Sequence, residues 1–166
     1  MAFREQPDAF PRFRDADLEV IISPTRRYEL HSTVLKQSST LFAELMRVEG
    51  PRLTKKAQAS GQTVRYCLQL TLSQTDQTYR FRRVELNTDG RRTDGSFVGT
   101  YNENGKVPPA IFRHYDMLFA IIYNVDLDLD RESIGAMLRD AMGIIQVAEY
   151  TGSVSALDTS NLDCVN

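Results

Sequence analysis

Three aspartates at alternate positions are the first residues of this sequence that suggest chemistry. Asp126, Asp128 and Asp130 have the spacing with which a calcium-binding loop begins. Such a loop needs a glycine at its sixth position and a glutamate at its twelfth, where this chain has Arg131 and Met137. The run therefore predicts an acidic link before a helix, where negative charge is favourable, and no metal site.

The other residue types that commonly catalyse reactions are few and scattered. Two histidines (His31, His114) and two cysteines (Cys67, Cys164) lack the spacing of a zinc site. The sequence pairs no nucleophile with His31, and Cys67 is expected to be a packed thiol in the middle of a strand. The chain also lacks a glycine-rich phosphate loop, a Gly-x-Ser-x-Gly elbow and a His-Glu-x-x-His motif. We therefore expect no enzyme and no cofactor.

The elements that position these residues follow from hydrophobic periodicity. In the first third of the chain, alternating apolar residues predict strands at 17–23 and 27–30. The period then changes, and helical spacing predicts one helix over 32–47 with Ser32 or Thr33 as its N-cap.

The middle of the chain has the pattern of an antiparallel meander. Residues 64–72 alternate cleanly, which predicts a strand buried on one face only. In 79–86 the apolar phase shifts between Phe81 and Val84, which predicts either a β-bulge or an irregular segment. A short strand is expected at 97–101.

The last third of the chain predicts three helices. The first opens at Pro108-Pro109, because the missing N–H of proline is not needed in a first turn. Apolar spacing over 134–148 predicts the second, which Gly152 ends, and a short third helix is expected over 153–163. The order of elements predicts a mixed α+β fold.

Charge is distributed unevenly, although the net charge is only −2. Residues 47–113 carry 12 Lys or Arg against 6 Asp or Glu, whereas residues 114–166 carry 2 against 9. Arg80, Arg82 and Arg83 are interleaved with aromatic residues, a pattern that can bind nucleic acid. The favoured interpretation is a solvated sheet whose arginines complement acidic helices of the same or a neighbouring molecule.

Residues around the start of the first predicted helix resemble a known family. Asp17 begins a strand, and His31, Leu35, Ser39 and Phe42 then follow at fixed offsets. This arrangement resembles the opening of a BTB/POZ domain, in which an Asp-initiated strand and a short second strand precede a His-x-x-Val-Leu-x-x-x-Ser-x-x-Phe helix. Asp17 is expected to accept hydrogen bonds near the start of that helix.

The resemblance continues in the last third of the chain. Tyr115, Phe119 and Tyr123 are similar to residues of the family helix that ends in an aliphatic-Tyr pair, and 148–150 is similar to part of a later helix. Three matches in the right order resemble a divergent, fungal-type member of the family.

The resemblance implies a single domain over 1–166, with a family core at 15–47 and 108–165 and a β-rich insertion at 48–107. Its fold would be a small β-sheet capped by helices, with an inserted antiparallel meander. Its function would be non-enzymatic: homo- or hetero-oligomerisation, as the scaffold or adaptor part of a larger regulatory protein. Two cysteines form no disulfide framework, so we expect an intracellular location, in the nucleus or the cytoplasm.

Five residues are candidates for partner binding: Phe10, Phe13, Arg80, Arg82 and Arg83. The two phenylalanines are as well explained by covering the domain's own core. The expected partner is a second copy, another BTB/POZ-like protein or a cullin. Two alternatives remain open, a cullin-type ubiquitin-ligase adaptor and a chromatin- or nucleic-acid-associated factor that uses the basic insertion. No membrane partner is expected, since no apolar run approaches 18 residues.

Overall fold

The protein is described by a computed structural model, which covers residues 10–23, 26–73, 75–76, 78–93, 109–125 and 134–159. The strand expected at 97–101 and the acidic run at 126–130 lie outside these residues. The chain divides into two compact units. One comprises Met1–Pro7, Arg12–Ser32 and Leu45–Val107, and the other comprises Asp8–Pro11, Thr33–Glu44 and Pro108–Asn166.

The first unit is built on a four-stranded mixed sheet with the strand order β2-β1-β3-β4. Its strands are β1 (Leu18–Ser23), β2 (Arg26–Leu30), β3 (Tyr66–Leu72) and β4 (Tyr79–Val84). β1 runs antiparallel to β2 and parallel to β3, and β3 runs antiparallel to β4. The strands expected in an insertion therefore complete the sheet that the N-terminal hairpin begins. The predicted α+β class is confirmed.

β3 is buried on both faces, so the prediction of a half-buried strand is wrong. Leu68 and Leu70 on one face and Cys67 and Gln69 on the other are all almost completely buried. The second face is covered because Ile21, Cys67, Val84 and Leu86 pack into a small apolar cluster of their own. A central strand with a cluster on each side has no solvated face, whatever its alternation suggests.

β4 pairs with β3 without interruption, so neither the bulge nor the irregular segment occurs. Phe81 lies opposite Leu70 and Val84 lies opposite Cys67, with no shift in register between them. The two apolar residues of β4 face opposite sides of the sheet, because side chains three positions apart in a strand always do. The shift in apolar phase between Phe81 and Val84 therefore arises because both faces of the sheet are buried at this strand.

The described helices are α1 (Ser32–Ser38), α2 (Thr40–Leu45), α3 (Lys55–Ala59), α4 (Pro109–Tyr123), α5 (Ile134–Thr151) and α6 (Val154–Thr159). The one helix predicted over 32–47 is wrong, since the chain forms two helices separated at Ser39. Ser39 Oγ accepts a hydrogen bond from the Phe42 N–H at 3.1 Å, which makes Ser39 the N-cap of a new helix. No sequence pattern indicated α3, which Thr54 caps through the Ala57 N–H.

The three C-terminal helices form where the sequence predicted them. α5 ends where Gly152 adopts a φ of +64°, as expected of a glycine just past a helix end. α6 is described over Val154–Thr159, and residues 160–163 of the helix predicted over 153–163 lie outside the described part of the chain. None of the described helices is long and apolar enough to cross a membrane.

Candidate interaction surface

The junction between the sheet and α1 is built by Asp17, as expected. Its Oδ1 accepts a hydrogen bond from the Ser32 N–H at 2.7 Å, and its Oδ2 accepts one from the Ser32 hydroxyl at 2.6 Å. A carboxylate from another segment thus satisfies a free N–H of the first helical turn. The prediction that Ser32 or Thr33 caps this helix is wrong, because Ser32 is already helical and acts as a donor.

His31 is held on the surface of the first unit by two neighbours. Its Nε2 lies 3.1 Å from Asp15 Oδ1, and its ring centroid lies 4.7 Å from that of Phe13. The hydrogen bond from His31 lowers the pKa of the Asp15 carboxyl below its usual value. These contacts give His31 a structural role at the junction and place the half-buried Phe13 against it.

Ser39 lies in a buried hydroxyl cluster within the second unit. Its Oγ donates to the Thr151 carbonyl at 2.5 Å, and the Thr151 hydroxyl lies 2.9 Å from that of Ser153. The main chain closes beside them, where the Thr40 N–H donates to the Gly152 carbonyl at 3.4 Å. A Cβ at Gly152 would collide with the Thr40 hydroxyl. Hydrogen bonds therefore connect the start of α2 to the end of α5.

Four other residues of the second unit on which the resemblance depends are buried in its core. Leu35 and Phe42 are fully buried, and the Phe42 ring centroid lies 6.3 Å from that of Phe119. Tyr115 follows at 6.0 Å from Phe119, and its burial raises the pKa of its hydroxyl above the usual value. These side chains determine packing rather than recognition.

Phe10 packs into the second unit. It is only 4% exposed and meets the ring of Tyr123 edge to face at 5.8 Å. Of the two explanations open for the lead-in phenylalanines, this placement favours covering the domain's own core at Phe10.

Arg80 and Arg83, two of the three candidate arginines of β4, have side-chain partners within the first unit. Arg80 pairs with Asp76, and Arg83 donates to the Val48 carbonyl as well as pairing with Glu85 at 3.3 Å. Arg82 lies opposite Gln69 in the sheet, and its Nε and Nη2 atoms are buried. These contacts tie Arg80 and Arg83 to the fold.

A cluster around Glu49 was not found from the sequence. The Glu49 carboxylate accepts hydrogen bonds from the Arg65 guanidinium and the Tyr66 hydroxyl, both at 3.1 Å. Arg65 also donates to the Pro51 and Gly50 carbonyls at 3.2 Å. The cluster fixes the chain after α2, and its residues are too far apart in sequence for any local pattern to reveal it.

Cys67 is a packed thiol, as expected. It is fully buried, and its Sγ lies 3.7 Å from the Glu19 carboxylate, which also pairs with Arg27 at 3.1 Å and Arg92 at 3.8 Å. Desolvation, followed by the charge of Glu19, raises the pKa of the thiol to about 12. The group therefore stays protonated and is a poor nucleophile.

Three large aliphatic side chains of α5 are exposed, and two of its small residues are buried. Leu138, Met142 and Ile145 are 61%, 63% and 49% exposed, whereas Gly143 and Ala148 are buried. A Cβ at Gly143 would collide with the His114 ring on α4, so only glycine fits at position 143. The exposed side chains of Leu138, Met142 and Ile145, at helical spacing, form what we call the aliphatic stripe, and the sequence did not indicate that it faces solvent.

Within the described residues, no three His, Cys, Asp or Glu side chains are grouped so that they could hold a metal ion. Comparisons with protein-family models, with curated proteins and with solved structures give no match for this chain. The BTB/POZ resemblance accordingly stays a prediction from the sequence.

Proposed function

We propose that this chain is a non-enzymatic protein–protein interaction module of the BTB/POZ type that acts through homo- or hetero-oligomerisation. Its role would be that of a scaffold or adaptor in a larger intracellular regulatory protein, in the nucleus or the cytoplasm. Two placements support the family component. Asp17 caps the helix that follows the hairpin, and Ser39, Phe42 and Phe119 lie in one buried core.

The aliphatic stripe of α5 supports the proposal that this chain binds another protein. A helix on the surface of a monomeric domain normally turns its large apolar side chains inward and its polar ones outward. α5 does the reverse at Leu138, Met142 and Ile145, so that a contiguous apolar strip faces solvent. Such a strip is typical of a surface that a partner covers.

The basic strand β4 favours a structural role over nucleic-acid binding. A nucleic-acid site depends on arginines that can neutralise phosphates. Arg80 and Arg83 already pair with Asp76 and Glu85, and Arg83 also holds the main chain at Val48. A cullin remains one possible partner among others, and no contact of the described residues singles it out.

Affinity capture with matched baits tests the proposed function. Wild-type protein and the variants Met142→Glu and Val48→Glu would be immobilised, and the captured proteins identified by mass spectrometry. Val48 is a suitable control because it is 67% exposed and lies outside the stripe. We expect partners that wild-type and Val48→Glu retain and that Met142→Glu loses. Identical capture by all three baits would argue against the stripe as the interaction surface.

A further inference from the structure

The exposed side of α5 carries one charge near each end of the helix. Arg139 lies on the exposed side near the start of the helix and Glu149 on the exposed side near its end. Among the described residues neither side chain has an ion-pair partner, whereas the nearby Asp140 is held by Arg113 at 2.8 Å. The exposed face of α5 is therefore apolar in its middle, positive at one end and negative at the other.

This pattern complements itself when the helix direction is reversed. Arg139 and Glu149 are ten residues apart, which is about 15 Å along an α-helix. Two antiparallel copies of α5 that cross midway between these residues bring Arg139 of each beside Glu149 of the other. The same alignment places Met142 of one copy within one residue of Ile145 of the other. Parallel copies would instead put like charges together.

We propose that the aliphatic stripe of α5 pairs with the same stripe of a second copy of this chain, antiparallel and about a two-fold axis. This inference rests on the proposed function and names its partner. A two-fold contact uses one surface patch on both copies, and a patch with opposite charges at its ends satisfies that requirement. Burial of the three aliphatic side chains supplies the association energy, and the two Arg139–Glu149 pairs set direction.

The contact is small, so the dimer is expected to dissociate readily. One pair of helix faces buries less than the roughly 1,600 Å² of a standard stable interface. We therefore expect a monomer–dimer equilibrium in the micromolar range, which sedimentation velocity measures over a series of protein concentrations.

Substitutions in the apolar middle of the stripe give the first test. Met142→Glu would bury two carboxylates in the contact, and we expect the dissociation constant to rise by more than about tenfold. Val48→Glu introduces the same charge at an equally exposed apolar residue outside the stripe and should leave the dimer unchanged. Far-UV circular dichroism verifies that both variants fold. Equal dimerisation of Met142→Glu and wild type would overturn the proposal.

Charge reversal tests the antiparallel direction. Arg139→Glu and Glu149→Arg each replace two attractions by two repulsions, so each alone should weaken the dimer by about fivefold to tenfold. An equimolar mixture of the two variants should form a heterodimer of wild-type strength, because every facing pair is then of opposite sign. Failure of the mixture to recover would refute antiparallel pairing.

The proposed function can survive the failure of this inference. A chain that stays monomeric at every concentration, yet loses captured proteins on Met142→Glu, refutes self-pairing and retains the stripe as a surface for another protein. A dimer that all the α5 variants leave intact refutes the pairing proposed here and places self-association elsewhere in the chain.

Discussion

The β-sheet of the first unit and helix α5 of the second handle large apolar side chains in opposite ways. On the sheet, Leu18, Ile21 and Leu68 are fully buried, although they face both sides of it. On α5, Gly143 and Ala148 are buried while Leu138 and Met142 face solvent. Apolar periodicity therefore predicts whether a helix or a strand forms. Which face of that element is buried depends on the elements that pack against it.

The largest expected difference is in the unfolding free energy lost when a buried leucine and an exposed leucine are each replaced by alanine. Leu118→Ala on α4 removes a fully buried side chain and is expected to cost about 2–5 kcal/mol of unfolding free energy. Leu138→Ala on α5 removes a side chain that is 61% exposed, and it should change the unfolding free energy by no more than about 0.5 kcal/mol. Urea unfolding below the dimer range measures both. Similar losses for the two variants would show that Leu138 is buried.

Alanine substitutions at two glycines of α5 should have opposite effects on the stability of the protein. Gly143→Ala places a methyl group against the His114 ring and should destabilise the protein by about 1–3 kcal/mol. Gly135→Ala adds the same methyl group at an exposed helical position and should stabilise it by up to about 1 kcal/mol. Thermal unfolding distinguishes the two, and a gain from both would mean that α5 does not pack closely on α4.

The buried hydroxyl of Ser39 provides the next test. Ser39→Ala removes the N-cap of α2 and the bond to the Thr151 carbonyl, and we expect a loss of about 1–2 kcal/mol. Ser38→Ala removes only a hydroxyl that bonds back to the Val34 carbonyl within α1, and it should cost less than about 0.5 kcal/mol. If chemical denaturation gives equal losses of unfolding free energy for the two variants, the hydrogen bond between Ser39 and Thr151 does not stabilise the fold.

The smallest effect concerns the second apolar face of the sheet, where Cys67 is buried. Its folded pKa of about 12 lies above the usual thiol value near 8.5, so ionisation favours the unfolded chain. Stability should therefore be unaffected below about pH 8 and fall by about 1 kcal/mol between pH 8 and 9.5. Unfolding free energies of wild type and Cys67→Val across this range isolate the effect, because all other groups are common to both. Parallel pH profiles would mean that the thiol is solvated in the fold.

Much of the secondary structure could be predicted, because it depends on local periodicity and on local turn and cap residues. The hairpin of β1 and β2, the strand β3 and the helices α4 and α5 all form where their patterns indicated. The division of one expected helix at Ser39 could not be predicted. It depends on a serine hydroxyl that caps α2 while bonding to a carbonyl 112 residues away.

Only part of the candidate site could be predicted from the sequence. The resemblance predicted that Asp17 accepts hydrogen bonds near the start of α1, and the Ser32 N–H does donate to its carboxylate. Residue type made Phe10 and Arg82 candidates for partner binding, and for Phe10 it left burial in the domain's own core equally open. Phe10 is almost completely buried, and two guanidinium nitrogens of Arg82 are buried as well. Residue type sets what a side chain can do, and burial decides whether it can meet a partner.

The sequence by itself determined the α+β class, most element positions and the uneven distribution of charge, because these depend on composition and on spacing along the chain. Only the tertiary structure decided that β3 is buried on both faces and that α5 turns Leu138 and Met142 outward. The physical reason is that a face is buried by what packs against it. His114 leaves no room for a side chain at position 143, so that position packs closely against α4, and the side of α5 with Leu138 and Met142 is left for solvent or for a partner.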